Sequence, residues 1–240
     1  MKIYTYYEPV SHVKKFKRQL ELIDLWKKSW ELNGFEPIVL SREDAMKSDV
    51  YPDYYDFVQR VNKKISGQEL PERGYWLATQ LEIVAFTTIK EFGFISDYDV
   101  INYNFKPSIL KEDLHWLNGA CTCFAYGRCI GWYNYIQTLF KNEDKIVEFC
   151  KEHFFNKNGR EYYSDQDFLQ ALLHNNVERE FTVTYDRSLA QMYIPRDNIS
   201  NNKTYHISHD NVRLISPHIN QDDARIKYAK EIIENIGTMI

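Results

Sequence analysis

The first forty residues alternate between short apolar runs and one longer stretch with helical periodicity. Residues 2–7 are β-branched and aromatic and are followed by Glu8 and Pro9, which predicts a strand. Gly34 follows the periodic stretch where a C-cap belongs, and residues 37–40 predict a second, buried strand. The helix between the two strands is predicted from apolar residues at helical spacing: Phe16, Leu20, Ile23, Trp26 and Trp30.

A second helix and a short strand lead to a pair of acidic residues. Ser41, with Asp44 three residues later, has the pattern of a helix N-cap. Residues 49–74 contain proline and glycine interruptions, and we expect irregular structure there. Residues 94–96 predict a short apolar strand. The helix before that strand is predicted from an apolar face made of Leu77, Leu81, Val84, Ala85 and Thr88.

The second half of the chain continues the alternation of helices and strands. Residues 121–126 and 131–133 have the composition of a strand or a loop. The order of elements predicts right-handed crossovers and a mainly parallel sheet flanked by helices. No linker divides the chain, so we expect an α/β fold with a single domain over residues 1–240. Helices are expected near 132–140, 143–153, 164–175 and 222–236, and strands at 181–185 and 204–207.

The charge balance narrows the classes of function. Lys+Arg 30 against Asp+Glu 34 gives a net charge of −4, which argues against a nucleic-acid binder with a general basic surface. No apolar run approaches the roughly 18 residues of a transmembrane helix, and the N-terminus lacks the apolar region of a secretory signal. The 4 cysteines have neither zinc-site nor disulfide spacing. We therefore expect reduced thiols in the cytoplasm, or in the host cytoplasm if the protein is viral.

Asp97 and Asp99 lie two residues apart at the exit of the strand predicted at 94–96. Ligands of α/β sheets bind outside the carboxyl ends of the strands. Alternation along an extended segment would point both carboxylates to one side. Two carboxylates at so short a distance are unfavourable unless a cation lies near them. Mg²⁺ and Mn²⁺ take oxygen ligands and bridge carboxylates to substrate phosphates. The motif indicates a divalent-cation site, whereas an isolated D-x-D pattern would more simply be a polar turn.

The segment from Glu91 to Ile101, with the helix before it, resembles the helix–Gly–strand–D-x-D segment of glycosyltransferases of the GT-A fold. The resemblance covers the first strand, the first helix and residues 73–105. It implies one Rossmann-like domain with a nucleotide-sugar half at about 1–105 and an acceptor half at about 106–240. In that family the D-x-D motif binds a divalent metal that holds the diphosphate of a nucleotide sugar. The resemblance thus implies Mn²⁺ or Mg²⁺ as cofactor, a nucleotide-diphosphate sugar as donor and a hydroxyl-bearing glycan or other acceptor.

The resemblance also assigns residues to the donor. Asp97 would contact ribose or the metal, and Asp99 would coordinate the metal. Arg73 precedes a helix where the family often has a basic residue near the nucleotide or sugar, although a solvated arginine is the alternative. Tyrosines on the first strand and in the D-x-D turn could flank the base and ribose, or could equally pack in the core or at the sheet edge. These tyrosines are Tyr4, Tyr6, Tyr7 and Tyr98.

Two later motifs are assigned by the same resemblance. An acidic motif at a helix start lies near the acceptor in this family, which makes Asp165 and Asp167 candidate catalytic bases. Ser164 with Asp167 is also a plain N-capping arrangement, so one acid could serve catalysis while the other only caps. Several metal-dependent members have a C-terminal histidine as third metal ligand, for which His206 and then His209 are the candidates.

Three other functions match parts of this pattern. A non-catalytic glycan- or nucleotide-binding module could have the same fold, since fold does not determine function. A haloacid-dehalogenase-type phosphatase also has a D-x-D at a strand end, but its motif lies near the N-terminus and has Thr or Val where Ile101 stands here. A sugar-phosphate nucleotidyltransferase needs a Gly-rich phosphate loop, which the 9 glycines do not form. The preferred hypothesis is a metal-dependent glycosyltransferase with no nucleic-acid partner and no transmembrane segment.

Overall fold

A six-stranded mixed sheet organises the protein in the computed structural model. The structure describes residues 1–10, 18–102, 105, 112–117, 122–184, 214–215 and 222–237. The strands are β1 (Lys2–Tyr6), β2 (Glu36–Leu40), β3 (Gly93–Ser96), β4 (Ile101–Asn102), β5 (Leu114–Trp116), β6 (Phe124–Gly127), β7 (Thr182–Val183) and β8 (Leu214–Ile215). The helices are α1 (Gln19–Leu32), α2 (Arg42–Ala45), α3 (Tyr51–Ser66), α4 (Tyr75–Phe86), α5 (Cys129–Lys141), α6 (Glu143–Cys150), a π-helical turn (Lys151–Phe155), α7 (Asn156–Asn158), α8 (Asp165–His174) and α9 (Asp222–Gly237).

The strands of the main sheet follow the order β2-β1-β3-β6-β5-β7. β1 pairs in parallel with both β2 and β3, and β5 pairs in parallel with β7. β6 runs antiparallel to β3 and to β5. The predicted α/β class, a sheet flanked by helices, is confirmed, and the parallel pairings outnumber the antiparallel ones in this sheet. β4 and β8 form a separate antiparallel pair.

Successive residues of the central strands enter two apolar cores, because side chains alternate between the faces of a sheet. Ile3 and Phe94 belong to a core that also contains apolar residues of α1 and α9. Tyr4 and Ile95 belong to a larger core with residues of α3, α4, α5, α6 and α8. The central strands are therefore covered on both faces.

Most elements predicted for the first hundred residues are confirmed to within a residue or two, although Phe16, the first residue of the predicted first helix, lies outside the described residues. β1 ends at Tyr6, one residue earlier than predicted. Gly34, just beyond α1, has a φ of +81°, a left-handed conformation that glycine adopts readily. Ser41 and Asp44 form the expected capping box, in which the Ser41 backbone N–H donates to Asp44 Oδ2 at 2.9 Å.

The prediction of irregular structure over residues 49–74 is wrong, because α3 occupies Tyr51–Ser66. Pro52 lies in the first turn, where the missing N–H removes no intrahelical hydrogen bond. Gly67, with a φ of +78°, ends the helix. The buried apolar residues of this helix recur at helical spacing and were overlooked beside the proline: Tyr54, Phe57, Val58, Val61 and Ile65.

The later helices are confirmed as α5, α6 with the π-helical turn, α8 and α9. The strand or loop predicted at 131–133 is wrong, since Gly131 and Trp132 belong to α5. A Cβ at Gly131 would collide with the Asp113 carbonyl, so the glycine lets α5 approach the chain before β5. The strand predicted at 204–207 lies outside the described residues. Among the helices of the described ranges, none combines the length and the apolar character needed to cross a membrane.

Two buried indoles of α1 hold the chain on either side of the acidic turn. Trp26 Nε1 donates to Ser96 Oγ at 2.9 Å, and Trp30 Nε1 donates to the Val100 carbonyl at 3.1 Å. Both indoles are completely buried, so no water replaces either partner. Because an unpaired buried N–H is unfavourable, these hydrogen bonds fix the end of β3 and the start of the next segment relative to α1.

We predict that Ser96→Ala lowers the free energy of unfolding by about 1–3 kcal/mol, because it leaves Trp26 Nε1 buried without an acceptor. Urea denaturation measures this change. The double variant with Trp26→Phe serves as control, since the hydrogen bond is already lost in either single variant and the two effects should not add. A Ser96→Ala variant with wild-type stability, or strictly additive effects, would contradict this role of the hydrogen bond.

Candidate functional site

The carboxyl ends of β2, β1 and β3 meet at one edge of the sheet, because these neighbouring strands are parallel. Tyr7 and Glu8 follow β1, Arg42 follows β2 at the start of α2, and Asp97 follows β3. This is the edge at which α/β proteins bind ligands. The candidate site therefore collects residues from three separate segments of the first hundred residues.

The D-x-D motif forms a turn at this edge. The Asp97 backbone N–H donates to the Cys123 carbonyl at 3.0 Å, and the Asp97 carbonyl accepts the Val100 N–H at 3.0 Å. Tyr98 and Asp99 occupy the turn, rather than the extended segment that strand alternation predicts. Asp97 is partly buried, and Asp99 is buried. The turn presents two carboxylates on a short, hydrogen-bonded backbone segment.

The predicted tyrosines divide into those at the edge and one away from it. The rings of Tyr7 and Tyr98 meet edge to face, with centroids 6.1 Å apart. Gln19 Nε2 donates to Tyr98 Oη at 3.1 Å, and Tyr6 Oη donates to Glu8 Oε2 at 2.7 Å. These side chains line the carboxyl edge of β1 and β3.

Tyr4 lies elsewhere, with its ring packed over Gly93 at the opposite end of β3. A Cβ on Gly93 would lie only 2.5 Å from Tyr4 Cε2. The charges within electrostatic reach of the Tyr4 hydroxyl are those of Lys2, Glu91 and Glu36, none of them at the candidate site. The structure therefore brings Tyr6, Tyr7 and Tyr98 to the site and leaves Tyr4 in the sheet.

Tyr75 lies within electrostatic reach of several carboxylates. The residue is 43% exposed, and its pKa is raised mainly by removal from water and then by the charges of Asp97, Asp165, Glu82 and Asp99. These five residues define what we call the acidic recess.

Asp165 is the buried acid at the start of α8 within the acidic recess. It is 3% exposed, and burial raises its pKa from 3.8 to about 7, assisted by the charge of Asp167. Hydrogen bonds with the Thr122 side chain, the Gln166 backbone and the Glu82 side chain limit the rise in pKa. Asp165 Oδ2 is buried and has no hydrogen-bond partner within the described ranges. A carboxyl group in this state can hold or accept a proton near neutral pH.

A two-residue segment connects Asp165 to the D-x-D turn. The Thr122 side chain hydrogen-bonds to Asp165, and the next residue, Cys123, accepts the backbone N–H of Asp97 at 3.0 Å. The acid near the start of α8 and the acidic turn after β3 are therefore neighbours, although 68 residues separate Asp97 from Asp165 in the numbering.

Asp167 has a structural role instead. Its Oδ1 and Oδ2 accept hydrogen bonds from the Arg160 guanidinium at 3.0 and 2.6 Å. Its Oδ2 also accepts the Ser164 backbone N–H at 2.7 Å, which completes the predicted capping box of α8. Both carboxylate oxygens are thus occupied within the protein, whereas Asp165 Oδ2 has no hydrogen-bond partner among the described residues.

The remaining predicted residues lie at the margin of the site or beyond what is described. Arg73 is exposed in the segment before α4. The pKa of Glu72 lies below its usual value, mainly because Tyr55 donates a hydrogen bond to its carboxylate, and the charge of Arg73 makes a smaller contribution. His206 and His209 lie outside the described residues. Within the described ranges, no three His, Cys, Asp or Glu side chains are grouped as a metal site.

Asp97 and Asp99 nevertheless fit Mg²⁺ or Mn²⁺. Both ions prefer oxygen donors, and Mg²⁺ sites commonly consist of one or two carboxylates completed by water and substrate phosphates. Two carboxylates in one fixed turn match that donor set. A ligand completes such a site, so a closed group of three protein donors is not required.

Sequence reasoning overlooked Tyr75, Glu82 and Thr122. Tyr75 and Glu82 are seven residues apart on α4, which places both on the same face of the helix. Glu82 is also the only charged residue between Tyr75 and Phe86, so a single carboxylate in an apolar helix was a usable signal. Thr122 had no such signal, because its importance depends on where α8 begins in space.

Comparisons with known proteins show limited similarity. A family described as "Domain of unknown function (DUF8765)" matches residues 1–80, which end within α4. No curated protein matches the chain. The apo-form glycosyltransferase GlyE of Streptococcus pneumoniae TIGR4 aligns with 99% of this chain at 9% identity and a TM-score of 0.44. This chain spans 63% of that GlyE chain.

A second solved structure is similar at the same level. The PaToxG glycosyltransferase aligns with 72% of this chain and 69% of its own length, at 12% identity and a TM-score of 0.41. Values in this range establish neither a common fold nor a common activity.

We predict that Asp165→Asn stabilises the protein at pH 8 by about 2–4 kcal/mol, since a tenfold change in acidity corresponds to about 1.4 kcal/mol. Folding raises the pKa of this carboxyl group from 3.8 to about 7. The associated stability is fully present below pH 3.8 and is lost as the pH rises through about 7. The neutral asparagine avoids this loss, so the advantage should shrink towards pH 4. Urea unfolding at several pH values measures the effect.

Asp167→Asn is the matched control, two residues further along the same helix. It should destabilise the protein at pH 8, because Arg160 loses a charged partner of low exposure. An Asp165→Asn variant that is no more stable than wild type at pH 8 would show that the carboxyl group is ionised at no cost in the folded protein.

Proposed function

We propose that the protein is a metal-dependent glycosyltransferase that moves a sugar from a nucleotide-diphosphate sugar to a hydroxyl group of a glycan or other acceptor. The observation that supports the proposal is the short connection, through Thr122 and Cys123, between the D-x-D turn and Asp165. Transfer of a glycosyl group requires stabilisation of the leaving diphosphate and a group that accepts the proton of the acceptor hydroxyl. The recess holds candidates for both tasks.

The donor side consists of the D-x-D turn and the tyrosines beside it. Asp97 and Asp99 would hold Mg²⁺ or Mn²⁺ together with oxygens of the diphosphate. When bound, the metal would neutralise the negative charge that develops on the nucleoside diphosphate. The rings of Tyr7 and Tyr98 form a half-buried aromatic surface at the same edge, suited to the base or ribose. A bound cation also fits a chain with a net charge of −4, in which no general basic surface is available for phosphates.

The acceptor side consists of Asp165 and Glu82. Asp165 has one buried oxygen that no group of the described protein occupies, and a pKa of about 7. A base with a pKa near the working pH combines a useful deprotonated fraction with adequate basicity. Asp165 would orient the acceptor hydroxyl and accept its proton as the oxygen attacks the anomeric carbon. Tyr75 is within electrostatic reach of acids on both sides and would contact the transferred sugar or the diphosphate.

We predict that Asp99→Asn reduces kcat/KM for Mn²⁺-dependent sugar transfer by about 10²–10³-fold, the size of effect seen when one electrostatic stabiliser of a transition state is removed. The fold should be retained, because asparagine has the same shape. Sugar transfer or donor hydrolysis is followed with a panel of nucleotide sugars. Asp144→Asn, at a fully exposed side chain on α6, is the matched control and should leave the rate unchanged.

Two results would contradict the proposal. A folded Asp99→Asn variant with wild-type turnover would remove the D-x-D turn from the mechanism. A wild-type protein that binds nucleotide sugars but neither transfers nor hydrolyses them would instead favour a binding module of similar architecture.

A further inference from the structure

Arg42 connects three segments at the carboxyl edge of the sheet. Its guanidinium Nη1 donates to Glu8 Oε1 at 3.2 Å and to the Glu72 backbone carbonyl at 2.8 Å. Its Nη2 donates to the Glu72 carboxylate. Arg42 begins α2 after β2, Glu8 follows β1, and Glu72 lies in the segment that leads into α4. One side chain thus ties the entry of α4 to the ends of β1 and β2.

The surrounding hydrogen bonds strengthen this connection. Tyr55 Oη donates to Glu72 Oε2 at 2.5 Å, and Tyr6 Oη donates to Glu8 Oε2 at 2.7 Å. The side chains of Arg42 and Glu8 are only 17% and 7% exposed, so this pair is weakly screened by solvent and anchors Arg42 to the end of β1. The Glu72 side chain is 62% exposed, so its hold on Arg42 comes from the two contacts together, one to its carboxylate and one to its backbone carbonyl.

The segment held by Arg42 continues directly into the acidic recess. The Gly74 N–H donates to the Pro71 carbonyl at 2.9 Å, and Gly74 is the N-cap of α4. A Cβ on Gly74 would lie 3.1 Å from both the Pro71 carbonyl oxygen and its Cβ, so the turn is tight. Tyr75 is the next residue and lies in the recess. Because this turn is short and closely packed, a displacement of Glu72 would also displace Tyr75.

The hydrogen bonds around Arg42 also lie beside the other carboxylates of the site. The Tyr6 hydroxyl, bound to Glu8, is within electrostatic reach of both Arg42 and Glu82. Arg42 itself has its guanidinium engaged by protein groups on both sides. Its contribution to the site is thus indirect, through the segment that it holds.

We propose that Arg42 is a positioning residue that holds the Glu72–Gly74 turn against the carboxyl edge of β1 and thereby sets the position of Tyr75 and the first turn of α4 within the acidic recess. The inference rests on the proposed function in one respect, since it takes the ligand of the recess to be a nucleotide-diphosphate sugar. The positioning of the turn itself is a property of the protein without ligand.

The test compares Arg42→Ala and Arg42→Lys with wild type by two measurements. Amide hydrogen exchange over residues 72–78, without ligand, should accelerate about tenfold or more in Arg42→Ala, because opening of the turn becomes easier. The KM for the donor should rise about tenfold while kcat stays within about threefold, as expected when binding is lost equally from ground state and transition state. Arg42→Lys keeps the charge but not the forked geometry, so it should restore both only in part.

Lys63→Ala provides the matched control. Lys63, in the last turn of α3, pairs at 2.8 Å with Glu69 of the connection to α4, but both side chains are more than half exposed and the pair does not involve the recess. This variant should show wild-type exchange over residues 72–78 and a wild-type KM. Arg42→Lys keeps the test valid if Arg42→Ala folds poorly, which a thermal melt reports.

Unchanged amide exchange in the Arg42 variants would overturn the proposal that Arg42 holds the turn. Faster exchange with an unchanged donor KM would overturn its role in positioning the donor site. A different result would contradict the proposed function, namely a wild-type protein without activity on any nucleotide sugar. In that case the exchange measurement would still decide whether Arg42 positions the turn.

Discussion

The candidate site depends on how firmly the D-x-D turn is held, and two buried indoles of α1 provide that support. Trp26 binds the residue before the turn, and Trp30 binds the residue that closes it. Carboxylates so close together repel each other and lose hydration when buried, so a flexible segment would separate them. Indole donors in a dry core supply a fixed frame, since neither donor has water as an alternative partner.

Two acids that lie close together in the sequence have different roles near this edge of the sheet. Asp165 and Asp167 lie within the first turn of α8, and both are almost fully buried. Arg160 and the backbone of Ser164 occupy the oxygens of Asp167, which makes it a structural acid. Asp165 faces Glu82 and Thr122 without a cationic partner among its stabilising contacts, and its pKa rises to about 7. Surroundings, rather than residue type, separate a capping acid from a candidate base.

The sequence was sufficient for the strand–helix pattern of the sheet and for the place of the D-x-D motif, because apolar periodicity and turn residues are local signals. It was insufficient at α3, because Pro52 has the pattern of a chain interruption but lies in the first turn, where a helix tolerates proline. It also grouped Tyr4 with Tyr6, although two residues along a strand displace a side chain by about 6–7 Å. Tyr6 therefore reaches the edge, whereas Tyr4 packs over Gly93. The roles of Tyr75, Glu82 and Arg42 depend on contacts between distant segments, which no local pattern specifies.

The most direct test of a nucleotide-sugar site at the D-x-D turn is a thermal-shift comparison of wild type and Asp97→Asn with nucleotide-diphosphate sugars, with and without Mn²⁺. A ligand that binds only the folded protein raises its melting temperature. The account predicts a rise for wild type that needs both the sugar nucleotide and Mn²⁺ and that is lost in Asp97→Asn. An equal rise in the variant, or no rise in wild type with any donor of the panel, would contradict it.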